Sequence, residues 1–361
     1  MIRKEFFNEI LAVAEDNDLT KEQVLYAMEQ GLIAACKKQA GVRTCRVVFN
    51  EEKNEILTYA QWYVLPENYL ASEINDNYTL LTLADAKEKS AKAKPGEVLE
   101  IKIEPSEFNF NASRDLKHRF NEVLNQIKKE NIYQNLLKLQ YEIVNARVID
   151  VDTDFYRIEI NRDVITMLPK KESLPNDKFH IGDRIKVYVT QVEMKSKGPK
   201  IYVSRIHNAM VKRLLEEQVP EIKDGTIEVI GIARDPGDRT KIGLKSNNPN
   251  VDPIGATVGQ NGERIKEITR MLSGEKIDLF RWADNEKDLI ANSLQPAPVI
   301  DVIKINPKEK SAIAIVPDAQ LSLAIGKLGQ NVKLAVQASG WSIDIKSESI
   351  ATDEGLIFSK K

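Results

Sequence analysis

Cysteine and histidine are nearly missing from this 361-residue chain, which holds only Cys36 and Cys45, and His118, His180 and His207. Two cysteines make no disulfide framework, and without histidines at ligand spacing they make no zinc site, so both read as reduced packing residues. The three histidines are dispersed, none beside a Cys or Ser in a nucleophile motif, and each reads as a surface residue. The first 140 or so residues show no phosphate-cradling loop of the P-loop kind and no metal cluster. Neither catalysis nor a cofactor nor a metal is expected. Long apolar runs are also missing. None approaches the ~18 residues that span a bilayer, and Met1-Ile2-Arg3-Lys4-Glu5 reads as the start of a mixed-charge helix, not a signal peptide. The expectation is a cytoplasmic monomer with no membrane contact.

Net charge is the third scarcity: 52 Lys and Arg stand against 54 Asp and Glu, a formal −2. That argues against tight, sequence-blind duplex binding, which needs many phosphate contacts. The balance shifts along the chain. Residues 1–138 hold 19 basic against 22 acidic side chains (−3), while 139–203 hold 11 against 10 and 204–283 hold 13 against 12 (+1 each). Residues 302–346, with 6 against 3, are the only clearly basic stretch (+3). An acidic beginning suits a protein partner, because Asp and Glu repel phosphate at close range. Apolar content of 42% and charged content of 29% are otherwise those of an ordinary globular chain.

Helical spacing of Phe6, Phe7, Ile10, Leu11 and Ala14 opens the chain, and Thr20 before Lys21-Glu22-Gln23 starts a second helix ending near Gly41. Strands are expected over 43–50 and 55–65, joined by Glu51-Glu52-Lys53-Asn54, and 87–96 reads as a Lys/Ala-rich loop. Leu116, Phe120, Val123, Leu124 and Ile127 mark a long amphipathic helix over 112–139. The pattern then turns to short strands at 143–151, 155–160, 164–168, 184–192 and 200–204, which suit a five-stranded OB-type barrel.

The rest of the chain contains a duplication. Val258-Gly259-Gln260-Asn261-Gly262-Glu263-Arg264-Ile265-Lys266 aligns with Ile325-Gly326-Lys327-Leu328-Gly329-Gln330-Asn331-Val332-Lys333, and the strands before and after align too. Each copy reads helix, strand, strand, helix, Gly-x-x-Gly, helix, strand. Neither glycine has a Cβ, so backbone amides at the start of the second helix can approach a phosphate, which the helix dipole favours. This is the KH arrangement, which clamps about four nucleotides of single-stranded RNA. Arg264, Lys266, Lys327 and Lys333 stand where they can reach the backbone, and Asn331 follows the second turn. Leu328 puts an apolar side chain at the tip of that turn, where a polar one would suit phosphate better. The barrel offers a second surface of aromatic and basic residues: Phe155, Tyr156, Phe179, Tyr188 and Tyr202, with His180, Arg184 and Lys186.

These motifs resemble the NusA family of bacterial transcription elongation, termination and antitermination factors. The resemblance is carried by Ala233-Arg234-Asp235-Pro236-Gly237-Asp238-Arg239-Thr240-Lys241-Ile242, by Asp252-Pro253-Ile254-Gly255, by Ala324 to Val332 and by Phe179-His180-Ile181-Gly182-Asp183-Arg184-Ile185. It implies a multidomain α+β chain: an N-terminal RNA polymerase-binding domain (1–138), an S1-type OB barrel (139–203), two type II KH domains (204–283 and 284–347) and a tail (348–361). It further implies that RNA polymerase, nascent single-stranded RNA and other antitermination factors are partners. Three departures stand out. Tyr141 and Ala146 occupy positions where the family pattern usually shows glycine, Ser113-Arg114-Asp115 replaces an Ala-Lys-Gln stretch, and the acidic C-terminal repeats of some members do not appear.

From the residues alone, an RNA-binding protein of translation or ribosome assembly built from the same modules stays open. Exoribonucleases also combine KH and S1-type modules, but their catalytic domains come first. The segment Arg234-Asp235-Pro236-Gly237 reads simply as a turn between strands. Segments of net +1 to +3 can neutralise few phosphates, so the log–log salt slope of RNA binding is expected to be shallow, on the order of −2 to −4. Affinities measured over a salt series test this, and a slope as steep as that of a strongly basic duplex binder would contradict it.

Overall fold

A computed structural model describes residues 6–66, 77–160 and 164–359. The chain divides into two compact units, 1–134 and 135–361. The expected start at Met1–Glu5 and the last two residues of the tail lie outside the described residues.

In the first unit, α1 (Phe6–Asp16) and α2 (Lys21–Ala40) follow the expected spacing. Thr20 and Gln23 form a reciprocal capping box, and Gly41 ends α2 in the left-handed region. Two strands come next, β1 (Thr44–Asn50) and β2 (Glu55–Val64), in antiparallel register. Two elements were not expected: β3 (Thr79–Leu81) runs parallel beside the end of β2, and β4 (Val98–Ile103) pairs antiparallel with it. Between them lies α3 (Leu83–Lys89), capped by Thr82, so the loop expected from 87 begins only after Lys89. The long helix α4 (Phe110–Leu137) packs Val123 and Leu124 against Ile10, Ala14, Val24 and Ala27. Gly31 permits that approach, since a Cβ there would lie 2.9 Å from the carbonyl oxygen of Leu116. Cys36 and Cys45 are free and buried together with Ala60 and Trp62.

In the second unit, β5 (Ile143–Val151), β6 (Phe155–Ile160), β7 (Val164–Pro169), β8 (Arg184–Lys195) and β9 (Gly198–Ser204) form a sheet of order β7-β6-β5-β8-β9. The Thr166 hydroxyl donates to the Ile201 carbonyl at 2.7 Å, joining the two end strands into a barrel. Ala146 points into its core, opposite Ile160 and Ile185. Tyr141 adopts φ +69°, a left-handed conformation that favours glycine. Arg213 holds it there by donating to the Tyr141 carbonyl at 2.9 Å.

The duplication folds twice into the same α+β unit. The first copy has α5 (Asn208–Gln218), α6 (Pro220–Lys223), β10 (Ile227–Asp235), β11 (Arg239–Ser246), α7 (Pro253–Val258), α8 (Glu263–Met271) and β12 (Lys276–Arg281). The second has α9 (Glu286–Ser293), β13 (Asp301–Asn306), β14 (Ser311–Val316), α10 (Leu321–Ile325), α11 (Gln330–Ser339) and β15 (Ser342–Ser347). In both sheets the first pair is antiparallel and the second parallel. The tail is ordered into α12 (Glu348–Asp353), capped by Ser347.

The segment read as a simple turn proves to be where three modules meet. The Glu275 carboxylate is wholly buried and accepts from Arg234 Nε and Nη2 at 2.8 Å each, from the Gly237 amide at 2.8 Å and from the Thr240 hydroxyl. The turn so fixed receives the barrel on one side, where Asn176 Nδ2 donates to the Gly237 carbonyl at 2.6 Å. On the other side Gln330, the first residue of α11, donates to Asp235 and Asp238 at 2.8 and 2.6 Å. A second buried pair, Arg205 with Asp177 at 2.7 Å, joins barrel to KH unit again, with Arg205 also donating to the Met271 carbonyl. Replacing Arg234 by Met leaves Glu275 buried without its cation, so the second unit is expected to lose about 3–5 kcal/mol. Denaturant unfolding measures this, and a loss under ~1 kcal/mol would place the stability of the turn elsewhere.

Candidate nucleic-acid interface

The two Gly-x-x-Gly turns have nearly the same backbone. Gly259, Asn261 and Gly262 have φ/ψ of 74°/175°, 53°/18° and 74°/18°; Gly326, Leu328 and Gly329 have 78°/171°, 52°/29° and 76°/12°. The first glycine of each pair is there for close approach: a Cβ on Gly326 would lie 2.7 Å from the Asn331 amide nitrogen. The second glycines are not closely approached, a Cβ on Gly262 meeting only Lys266 Cε at 3.7 Å and one on Gly329 nothing within 4 Å, and they serve the positive φ. Asn tolerates that conformation well, whereas Leu328 bears a cost of roughly 1–2 kcal/mol with its side chain 98% exposed and unpacked.

The side chains expected to face RNA divide into two groups. Gln260, Asn261, Lys266, Lys327, Leu328 and Lys333 are exposed around the turns, Lys266 donating to the Asn261 carbonyl at 2.9 Å. Arg264 and Asn331, equivalent positions in the two copies, turn inward instead. Arg264 donates to the Ala256 carbonyl (2.6 Å) and Glu221 (2.9 Å); buried Asn331 donates to the Ala324 and Leu294 carbonyls (2.9 and 3.0 Å). Both tie the turn to the helix before it.

On the barrel, Tyr156 is 3% exposed, and its hydroxyl donates to the Asp177 carbonyl. Its ring packs edge-on to Phe179 with the Lys170 ammonium over it, so it is a core residue unable to stack on a base. Phe155 is half-buried beside it. Arg184 is exposed; Lys186 is held by Glu217 at 2.7 Å. Tyr188 stacks on His207, whose Nδ1 accepts from the Ala209 amide and caps α5. On α4 of the other unit, Arg114 lies 3.9 Å from Asp115.

Beside the first turn lies a cavity of about 490 Å³, lined by Ile254, Val258 and Ile265 from the helices, by Ile277 and Leu279 from β12 and by residues 295–298 between the two KH units. An apolar slot beside a glycine turn has the shape and chemistry to take an unstacked base. The linker wall went unnoticed in the sequence. It is held by Lys241, 1% exposed, whose Nζ donates to the Gln295 carbonyl at 2.6 Å.

The comparisons with known proteins agree with this arrangement. Family models match the NusA N-terminal domain at 5–130, an S1 RNA binding domain at 141–204, and the NusA-like first and second KH domains at 205–282 and 286–353. The chain is 37% identical to the transcription termination/antitermination protein NusA of Bacillus subtilis, over 98% of this chain and 93% of that one. It belongs to the NusA family. The NusA proteins of Halalkalibacterium halodurans and Thermus thermophilus are 37% and 32% identical over 99% and 98% of this chain, and 91% and 93% of theirs. The four modules and their order are therefore those of NusA, and RNA-binding KH and S1 domains make up the second unit. Among the described residues no helix is long and apolar enough to cross a membrane.

Burial pushes Lys241 down from 10.5 to about 8. Because the depressed value belongs to the folded state, folding is penalised while both states are charged, below pH 8. The penalty fades as pH rises from about 8 to 10.5, where only the unfolded chain keeps its proton. Relative to Lys241→Met, the native chain is expected to gain up to about 3 kcal/mol between pH 7 and 10.5. Paired denaturant curves across that range check it, and a pH-independent difference would mean that Lys241 is not desolvated.

Proposed function

We propose that this NusA-family chain docks on RNA polymerase through residues 1–138 and holds nascent single-stranded RNA through residues 139–346. In doing so it modulates pausing, termination and antitermination in the cytoplasm, without catalysis. The observation that carries this reading is the pair of Gly-x-x-Gly turns with matching backbone, set on modules joined by buried ion pairs. Two such turns on one scaffold suit an extended strand, each gripping about four nucleotides.

Support for the polymerase half comes from charge and from kinship. The first unit is net −3 over 1–138, which disfavours a polyanion and leaves its surface to a protein. The relatives are named for transcription termination and antitermination. Docking on polymerase raises the effective concentration of the RNA-binding half beside the emerging transcript, so weak RNA contacts suffice. That fits RNA-binding modules that are nearly neutral, +1 over 139–203 and +1 over 204–283.

The test separates the halves. Residues 1–138 alone are expected to bind core RNA polymerase and not RNA, and residues 139–346 alone to bind RNA and polymerase poorly. The intact chain is expected to lengthen pauses in a purified transcription assay more than both pieces added unlinked. An N-terminal piece that bound RNA and ignored polymerase would overturn the reading in favour of a role in translation or ribosome assembly.

A further inference from the structure

The two cysteines of the chain meet in the core of the first unit. Cys36, one turn from the end of α2, and Cys45, the second residue of β1, are both free and share a buried cluster with Val42, Ala60 and Trp62. Only residues 37–44 separate them in sequence. Gly41, at φ +67°, ends the helix and turns the chain back, so that the helix end and the strand start lie together. The thiols are in hydrogen-bonding contact, Cys45 donating to the Cys36 sulfur. Among the described residues no group of three or more His, Cys, Asp or Glu could hold a metal ion, so the pair belongs to no larger ligand set.

Contact makes the two sulfurs unequal. The hydrogen bond from Cys45 holds the Cys36 thiol below the usual thiol range, against burial, which raises it. The same bond, with burial added, pushes the Cys45 thiol well up. The thiolate is the reactive form, so Cys36 is the nucleophile of the pair and Cys45 the neighbour that keeps its proton. An acidified sulfur with a second thiol beside it is the arrangement that oxidation converts to a disulfide. Cys36 is fully buried and Cys45 is 7% exposed, so the oxidant must be small. The connection between them reaches the surface at Gly41 and Arg43. Local opening of this helix end and strand start admits a molecule of about the size of water.

We propose that Cys36 and Cys45 form a reversible disulfide when the chain meets hydrogen peroxide, pinning the end of α2 to β1. The Cys36 thiolate attacks one peroxide oxygen, the O–O bond breaks, and the hydroxide that leaves is neutralised by the proton Cys36 had given up. Cys36 is then a sulfenic acid. The Cys45 sulfur attacks the Cys36 sulfur, the S–O bond breaks, and the departing hydroxide leaves as water with the Cys45 proton. Two thiols are oxidised to one disulfide, one peroxide is reduced to two waters, and a thiol reductant restores the pair by exchange. Little movement is needed, since the sulfurs close from hydrogen-bonding contact to a bond of about 2 Å. In a reducing compartment such a bridge is transient, a record of oxidation and not a permanent staple.

The test uses the full chain in its native state. After hydrogen peroxide, and blocking of the remaining thiols in denaturant, tryptic cleavage is expected to give residues 22–37 joined to 44–46, lighter than the two free peptides by two hydrogens. Dithiothreitol is expected to release them. In Cys45→Ala no bridge can form, and dimedone is expected to capture Cys36 as its sulfenic acid. In Cys36→Ala, Cys45 is expected to stay free at the same dose of oxidant. The bridge is also expected to slow amide hydrogen exchange at the end of α2 and the start of β1 roughly tenfold, because the opened segment loses chain freedom. Two free thiols, a bridge between chains, or a bridge that forms only after unfolding in urea overturns the proposal, and the unsubstituted chain decides this even where a variant does not fold. Oxidation of Cys45 in Cys36→Ala as fast as that of Cys36 in Cys45→Ala overturns the assignment of the nucleophile. Unchanged exchange in the bridged chain overturns the pinning of α2.

Discussion

A buried carboxylate, that of Glu275, sets the geometry on which the second unit depends. It has no solvent to share its charge, so its oxygens must be met by Arg234, the Gly237 amide and the Thr240 hydroxyl. Those bonds leave the 235–238 turn one conformation. The turn in turn presents a carbonyl to Asn176 of the barrel and two carboxylates to Gln330 of the second KH unit. Three modules that are joined only by short links in sequence are thereby given fixed positions. A pair so completely buried adds little net stability, but removing one member strands the other, which makes the arrangement hard to loosen by degrees.

Fixed spacing matters more here than charge. Each RNA-facing module is nearly neutral overall, so none has the phosphate contacts for tight binding alone. Several weak contacts at set distances along one strand cost less ordering than the same contacts on loose modules, and their effects multiply. The two turns are not identical instruments, however. Asn261 presents a polar tip in a conformation Asn tolerates, whereas Leu328 holds a bare apolar tip in a conformation that costs energy. A strained, exposed leucine contributes nothing to the fold, and such strain tends to persist where a site uses it.

Similar letters at similar places took different roles once packed. Arg264 and Asn331 follow the glycine turns as Lys266 and Lys333 do, yet the first two reach back to helix-end carbonyls and the lysines stay in solvent. Tyr141 takes a positive φ, a backbone conformation that favours glycine, and Arg213 stabilises it there by donating to its carbonyl.

What the sequence determined by itself was whatever rests on local pattern. Helices α1, α2 and α4 were legible from apolar spacing and the Thr20 cap, the barrel strands from alternation, and the KH units from a duplication that preserved both glycines and their flanks. Short β3, of three residues, and β4 carried too little pattern to be seen, and α3 was hidden in a Lys/Ala-rich stretch read as loop. At the site, the turns and their exposed tips were readable because backbone conformation follows from glycine. Only tertiary structure decided that Tyr156 is core, that Lys241 is buried under the Gln295 carbonyl, and that an ordinary-looking Asp-Pro-Gly turn joins three modules. Those facts depend on partners 21 to 95 residues away in the chain, and burial is a property of what packs against a residue, which no local pattern records.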